Sequence, residues 1–241
     1  MAEHRAAFYA ARPGGLRDWW TLLHPPYTAW HLAYVAIGAA LAPHLDGVRL
    51  GATVLAFFAA VGVGAHAVDE LQGRPLQTKI GDRALIAAAV VAVLVAVAIG
   101  AAGVARVGWV LVPFIVVGPA LVVAYNAEVF GGVVHTDAGF ALAWGAFPVL
   151  TAYAAQAGGL SWPVGLAAAG AAAVSYAQRA LSTPARLLRR RARQVHGAVE
   201  FADAEPLPLD QQVLLLPLER ALRALSWGVV AFAAAAVAAR L

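Results

Sequence analysis

The sequence predicts an all-α, polytopic membrane protein with about seven transmembrane helices in one bundle. Three observations carry this. Hydrophobic residues make up 62% of the 241 positions and charged residues only 12%, against about a quarter charged in soluble domains. Mean hydropathy is +0.74, and several apolar runs reach the roughly 20 residues that cross a bilayer. Turn residues and charges punctuate those runs at regular intervals. Cysteine is absent, which excludes disulfides, thiolate ligands, iron–sulfur sites and cysteine nucleophiles. The pI near 9.8 reads as topology and contact with anionic lipid, with no nucleic-acid partner.

The expected spans are residues 27–43, 50–69, 83–103, 107–127, 138–156, 161–181 and 214–239. Gaps are marked by Pro43 to Gly47, Gly73-Arg74-Pro75, Gly131-Gly132 and Gly158-Gly159. Pro113 and Pro119 predict a kink in the fourth span. The polar, arginine-bearing opening from Met1 to Trp20 lacks the apolar core and small-residue cleavage site of a signal peptide, so none is expected.

Basic residues set the orientation. With the N-terminus inside, fourteen lie in inner segments, from Arg5, Arg12 and Arg17 to Arg220 and Arg223. Only Arg49, Arg106 and Arg240 fall outside. That bias predicts a cytoplasmic N-terminus in a bacterial inner (plasma) membrane. The one sizeable soluble stretch is 183–213, opening on the basic run Arg186 to Arg193 and continuing through Asp203 and Glu205. It reads as a basic amphipathic helix on the inner leaflet or as a phosphate-binding arm.

Two polar islands interrupt the apolar chain: His66, Asp69 and Glu70, then Glu128 with His135 and Asp137. An ionisable group at membrane depth costs roughly 2.5–3.5 kcal/mol, so such groups tend to share a polar cavity. His24 and His31 are two helical turns apart on one face, and His66 stands at i,i+3 and i,i+4 from Asp69 and Glu70. The candidate catalytic residues are therefore His66, Asp69, Glu128 and His135. The candidate metal ligands are His31, His66, Asp69, Glu70, Glu128, His135 and Asp137. Arg74, Arg179 and Arg186 are candidates for neutralising phosphate, and Tyr125 and Asn126 for hydrogen bonding into the same cavity. His135-Thr136-Asp137 reads equally as an N-cap.

The order of these features resembles the UbiA superfamily of intramembrane prenyltransferases. Thr21 to His31, running into Gly38 to Leu41, is similar to that family's proline-bearing first helix. Ala65 to Asp69 stands where the family has Asn-Asp-x-x-Asp, and Gly73-Arg74-Pro75-Leu76-Gln77-Thr78-Lys79-Ile80 resembles its Arg-Pro-Leu-x-Ser-Gly-x-Ile. Tyr125 and the run Phe140 to Tyr153 resemble its fourth-helix tyrosine and its fifth helix. The resemblance covers roughly residues 16–180. It implies a lipid or isoprenoid substrate and Mg²⁺ held against a diphosphate by two aspartate-rich motifs.

This chain departs from that pattern. His66 replaces the first aspartate of motif one, and the stretch Ser175 to Arg186, where motif two belongs, carries no carboxylate. One span follows it, against about three in the family. Imidazole suits Zn²⁺, Mn²⁺ or Fe²⁺ better than Mg²⁺, and His66 with Asp69 also makes a metal-free acid/base pair. The sequence thus supports a UbiA-like enzyme working by prenyl transfer or by histidine/carboxylate chemistry such as cyclisation, isomerisation or oxidation. The second reading is a lipid-binding or partner subunit on a degenerate scaffold, and the third a small transporter. A retinal protein is excluded, because the only lysine, Lys79, lies in a loop.

Overall fold

The computed structural model describes Tyr9, Ala11 and residues 14–241. Arg5 and Arg12, counted in the charge bias, and most of the stretch read for a signal peptide lie outside the described residues. The chain is 76% helical. Among the described residues, and setting aside the single turn Val129–Gly132, eight helices run in chain order: α1 (Leu16–Leu22), α2 (Pro25–Ala40), α3 (Gly47–Leu71), α4 (Asp82–Val107), α5 (Trp109–Asn126), α6 (Asp137–Ala157), α7 (Trp162–Arg190) and α8 (Gln211–Ala238).

Five of them, α3, α4, α5, α6 and α8, are long and apolar enough to cross a membrane. They coincide with five of the seven expected spans, and this is the make-up of an integral helical membrane protein. The other two expected spans are helical as well. α2 has 16 residues, and α7 has 29 residues that become polar toward its C-terminus. Outward faces are apolar where lipid would touch them, as on α4 at Ile86, Val90, Val91 and Leu94.

Helix ends follow the sequence. Asp46 caps α3 by accepting from the N–H of Val48 and Arg49, Thr136 caps α6 through Gly139, and Asp210 caps α8 through Val213. The exposed Asp46 carboxyl is held below the usual carboxylate range, chiefly by the Arg49 N–H. Pro113 sits in the first turn of the α-helical part of α5, where no N–H is needed, and Pro119 lies in its interior. α7 runs on through the basic stretch to Arg190, so the first part of 183–213 is a continuation of that helix. Beyond it the chain is irregular, with a two-residue antiparallel pairing of Ala198–Val199 and Leu207–Pro208.

α2 sits at the centre. Trp30, Tyr34 and Val35 are wholly or almost wholly buried, packing on one side against α6 and α7 and on the other against α3. Two turns of π-helix interrupt the long helices, Phe58–Ala65 within α3 and Leu142–Ala146 within α6. Both lie beside the polar islands, where such turns commonly re-aim side chains.

Long helices consecutive in the chain alternate in direction, so that α2, α6 and α8 run parallel, and this gathers two sets of polar residues at opposite ends. One end, here the polar end, holds His24, His66, His135 and the C-terminal part of α7. At the other end the Gln156 side chain pairs with the Asp46 main chain, Arg49 donates to the Gln156 carbonyl at 2.9 Å, and Arg240 donates to the carbonyls of Ala42 and Pro43.

Gly38 allows α2 to touch α6: a Cβ there would overlap the Val149 main chain, which cannot retreat within a helix. Gly38→Leu should therefore lower the thermal unfolding midpoint in detergent sharply, at a cost of about 3 kcal/mol or more. A midpoint unchanged from wild type would contradict that packing.

Candidate functional site

Three histidines meet the bundle in the same way. His31 Nδ1 lies 3.0 Å from the Trp144 carbonyl, His66 Nδ1 lies 3.1 Å from the Gly62 carbonyl, and His135 Nδ1 lies 2.9 Å from the Tyr125 carbonyl. A carbonyl only accepts, so each Nδ1 carries the proton. In the neutral ring Nε2 is then a bare acceptor pointing away from the carbonyl.

Local sequence explains why these carbonyls are on offer. The Trp144 carbonyl would accept from the N–H of residue 148, and Pro148 has none. At the end of the π turn, the His66 N–H goes to Val63, so the Gly62 carbonyl takes the His66 side chain instead. Tyr125 is in the last turn of α5, where carbonyls lack helical donors.

Around His66 the polar end closes into one cluster. The His24 and His66 rings stack at 4.5 Å between centroids, and the Tyr125 and His135 rings stack at 4.4 Å. Asp69 is half-buried and within electrostatic reach of His66, Arg186, His135 and Arg190. Arg179 binds Asp137 at 3.0 Å, reaches His135 Nε2 at 3.3 Å and lies 5.6 Å over the Phe140 ring. Phe140, Trp144 and Tyr125 form an aromatic wall beside His31, with Tyr125 edge-on to Trp144 at 5.7 Å.

Two buried polar atoms in this cluster, Tyr125 Oη and His24 Nε2, have no hydrogen-bond partner among the described residues. A buried polar group left unmade costs about 1–3 kcal/mol, and Trp30 Nε1 and Gln178 Oε1 are buried without a partner among the described residues as well. Tyr9 Oη shares a 2.7 Å hydrogen bond with His24 Nδ1. Burial raises the Tyr9 hydroxyl and holds His24 well below the ordinary histidine value, with the charges of His66 and of Arg190, Arg186 and Arg189 adding to the second effect. Both His24 and Glu128 sit in the left-handed region, at φ 45° and 49°, a strained setting typical of functional positions.

The expected site residues divide accordingly. His66, Asp69, Tyr125, His135, Arg179 and Arg186 come together. Glu128 stands at the rim, exposed, with its carboxylate 3.9 Å from His135. His31 is deeper, behind the aromatic wall. Four others have structural partners. The fully buried Glu70 accepts from Leu76 N–H, Thr78 N–H and the Thr78 hydroxyl, and so folds the 72–81 loop under the helix. Arg74 pins the same loop by donating to the Ile80 carbonyl and to Asp82. Asn126 turns back onto the Val122 carbonyl, and Asp137 holds Arg179.

Among the described residues no three His, Asp or Glu side chains gather as a metal site needs. The seven expected ligands are dispersed among these separate contacts. His66 Nε2 and Asp69 supply two donors, which is fewer than the three protein ligands of a typical catalytic zinc centre. Tyr9 belongs to the cluster and was missed from sequence, while His24, placed on one face with His31, and Arg190, in the basic run, join the named site residues.

The described contacts thus form a histidine- and arginine-rich cluster at one end of an apolar bundle. Comparison with family models, with curated proteins and with solved structures finds no match to this chain.

Two outcomes follow from these contacts. Glu70→Ala strands three donors and should cost about 3 kcal/mol in stability, with Glu70→Gln falling between it and wild type when unfolding is followed in detergent. His24 in the folded chain resists protonation, while the unfolded chain takes a proton below about pH 6.5. Stability from this group is present above that pH and is lost as pH falls. The unfolding midpoint should therefore drop more between about pH 7.5 and about pH 5 in wild type than in His24→Gln.

Proposed function

We propose that this chain is a UbiA-like intramembrane enzyme acting on an isoprenoid or related lipid, with its reacting groups at the polar end and that end in the cytoplasmic leaflet. In this reading α2 and α7 cross the membrane with the other five long helices, the N-terminus is inside, and the lipid chain lies between apolar helices. The observation that carries it is the pair of unsatisfied buried atoms, Tyr125 Oη and His24 Nε2, set among Asp69, three histidines and the arginines of α7. A merely structural polar cluster would pair those atoms.

The chemistry that fits is acid/base catalysis. His66 Nε2 accepts a proton from the substrate, Asp69 balances the imidazolium that forms, and Tyr125 or His24 supplies a hydrogen bond or a proton elsewhere on the molecule. The aromatic wall of Phe140, Trp144 and Tyr125 suits a positive charge developing on an isoprenoid carbon. Such a set serves isomerisation or cyclisation, in which the proton taken is returned. In the diphosphate-using version, Asp69 would be the single carboxylate offered to a Mg²⁺ ion otherwise held by the substrate, with Arg179 and Arg186 facing phosphate. A lipid-binding partner subunit is the second reading, favoured by the carboxylate-free stretch of α7 from Ser175 to Arg186.

Expression of wild type, His66→Ala and Asp69→Asn in a host whose isoprenoid lipids are then profiled separates these readings. The enzyme reading expects a lipid change from wild type that falls by about 10²-fold or more in either variant while the unfolding midpoint is retained. Unchanged host lipids, with equal lipid co-purification by all three proteins, would establish the partner subunit. Stoichiometric Zn, Mn or Fe in wild type that is lost from the variants would replace acid/base chemistry with metal chemistry.

A further inference from the structure

On the far side of the Trp144 wall from the polar end lies a second, different space. A cavity of about 320 Å³ opens between α3, α4, α5 and α6. Its walls are almost wholly apolar, with Phe57, Phe114 and Phe147 among them, yet two arginines, Arg49 and Arg106, line its outer end. Small residues create it. Ala52, Ala56 and Ala60 recur every fourth position of α3 and present one smooth face. Gly100 and Gly103 let α4 approach α5 closely: a Cβ at Gly100 would lie 2.7 Å from Ile115 Cγ1, and one at Gly103 3.0 Å from Leu111 Cδ1.

The charges at the mouth differ in how they are used. Arg49 is occupied by the Gln156 carbonyl at 2.9 Å and by Asp46 at 3.8 Å. Arg106 makes no ion pair or hydrogen bond among the described residues. An unpaired guanidinium over an apolar shaft is complementary to an anionic head on a hydrocarbon chain.

The depth agrees. Lining residues on α4 run from Val93 to Val107, a rise of roughly 20 Å at helical spacing, about two-thirds of a ~30 Å hydrocarbon core. The volume lies at the lower end of the ~300–1,000 Å³ of small-molecule sites, room for one chain.

We propose that this cavity binds a single-chain anionic amphiphile, its head at Arg106 and Arg49 and its chain along Ala56 toward Trp144, as a site separate from the polar-end pocket. The head chemistry is a carboxylate or a phosphate, from a free fatty acid or a lysophospholipid.

Native mass spectrometry of the full chain released from neutral detergent tests this, with palmitate, lysophosphatidylglycerol or uncharged hexadecanol added. The expected result is one saturable adduct with an anionic amphiphile, weaker by about tenfold for hexadecanol and in Arg106→Gln. The adduct should be lost in Ala56→Phe, which fills the shaft, and retained in His66→Ala, whose site lies beyond Trp144. Palmitate alone forming the adduct identifies a fatty-acid site, and lysophosphatidylglycerol alone a phospholipid site. Equal binding of hexadecanol, adducts unchanged in Arg106→Gln and in Ala56→Phe, or no adduct with either anion would overturn the proposal. Loss of the adduct in His66→Ala would overturn the separateness of the two sites.

Discussion

Main-chain carbonyls without a helical donor are the constraint on which the polar end is built. In an apolar bundle each such group costs several kcal/mol unless something inside the protein satisfies it. Here the donors are imidazoles. Trp144, Gly62 and Tyr125 lose or lend their carbonyls for three different local reasons, a proline, a π turn and a helix end. His31, His66 and His135 answer all three through Nδ1. One requirement of backbone satisfaction therefore fixes three side chains, their tautomers and the direction of three Nε2 lone pairs.

The π turns make the site and the packing a single problem. Phe58–Ala65 brings His66 and Asp69 to the end of α3 against His24, while Leu142–Ala146 presents Trp144 to both His31 and Tyr125. Close helix contacts hold these turns in place. Gly38 lies on the Val149 main chain, and a Cβ at Gly145 would meet the Ala171 carbonyl and the Ser175 hydroxyl, both at 2.7 Å. A residue larger than glycine at either position would push α6 away from α2 or α7 and so move Trp144, which divides the polar pocket from the apolar cavity.

The two ends of the bundle are chemically unlike. The polar end carries histidines, Asp69 and the arginines of α7 around buried atoms that have no hydrogen-bond partner among the described residues. The opposite end carries capping contacts, Asp46 with the start of α3 and Arg240 with the α2–α3 turn, and one free arginine above an apolar shaft. Ion pairs at both ends are partly exposed, and each is worth little by itself. What distinguishes the ends is how their cations are used: Arg186 and Arg190 lie within electrostatic reach of Asp69 at one, while Arg106 at the other makes no ion pair or hydrogen bond among the described residues.

Hydropathy alone determined that the chain is helical and membrane-type, because a bilayer permits few ways to satisfy a backbone and long apolar runs announce the one used here. It placed six of the seven expected helices to within a few residues, whereas α7 runs nine residues past its expected end into the basic stretch, and the Thr136 and Asp46 caps follow from local hydrogen bonding. Spacing also brought His66, Asp69, Tyr125 and His135 toward one end. Only the tertiary structure decided which polar residues share the pocket. Glu70, Arg74 and Asn126 looked like site residues but are held by partners in the 72–81 loop, by Asp82 or by their own helix, contacts that depend on how a loop folds back. Tyr9 entered through its hydrogen bond to His24 and Arg190 because α7 ends beside it, and the second cavity because glycines on α4 let α5 close over a small-residue face of α3. Periodicity reports which face of a helix is apolar. Which helix meets that face, and how closely, depends on side-chain volumes far apart in the chain.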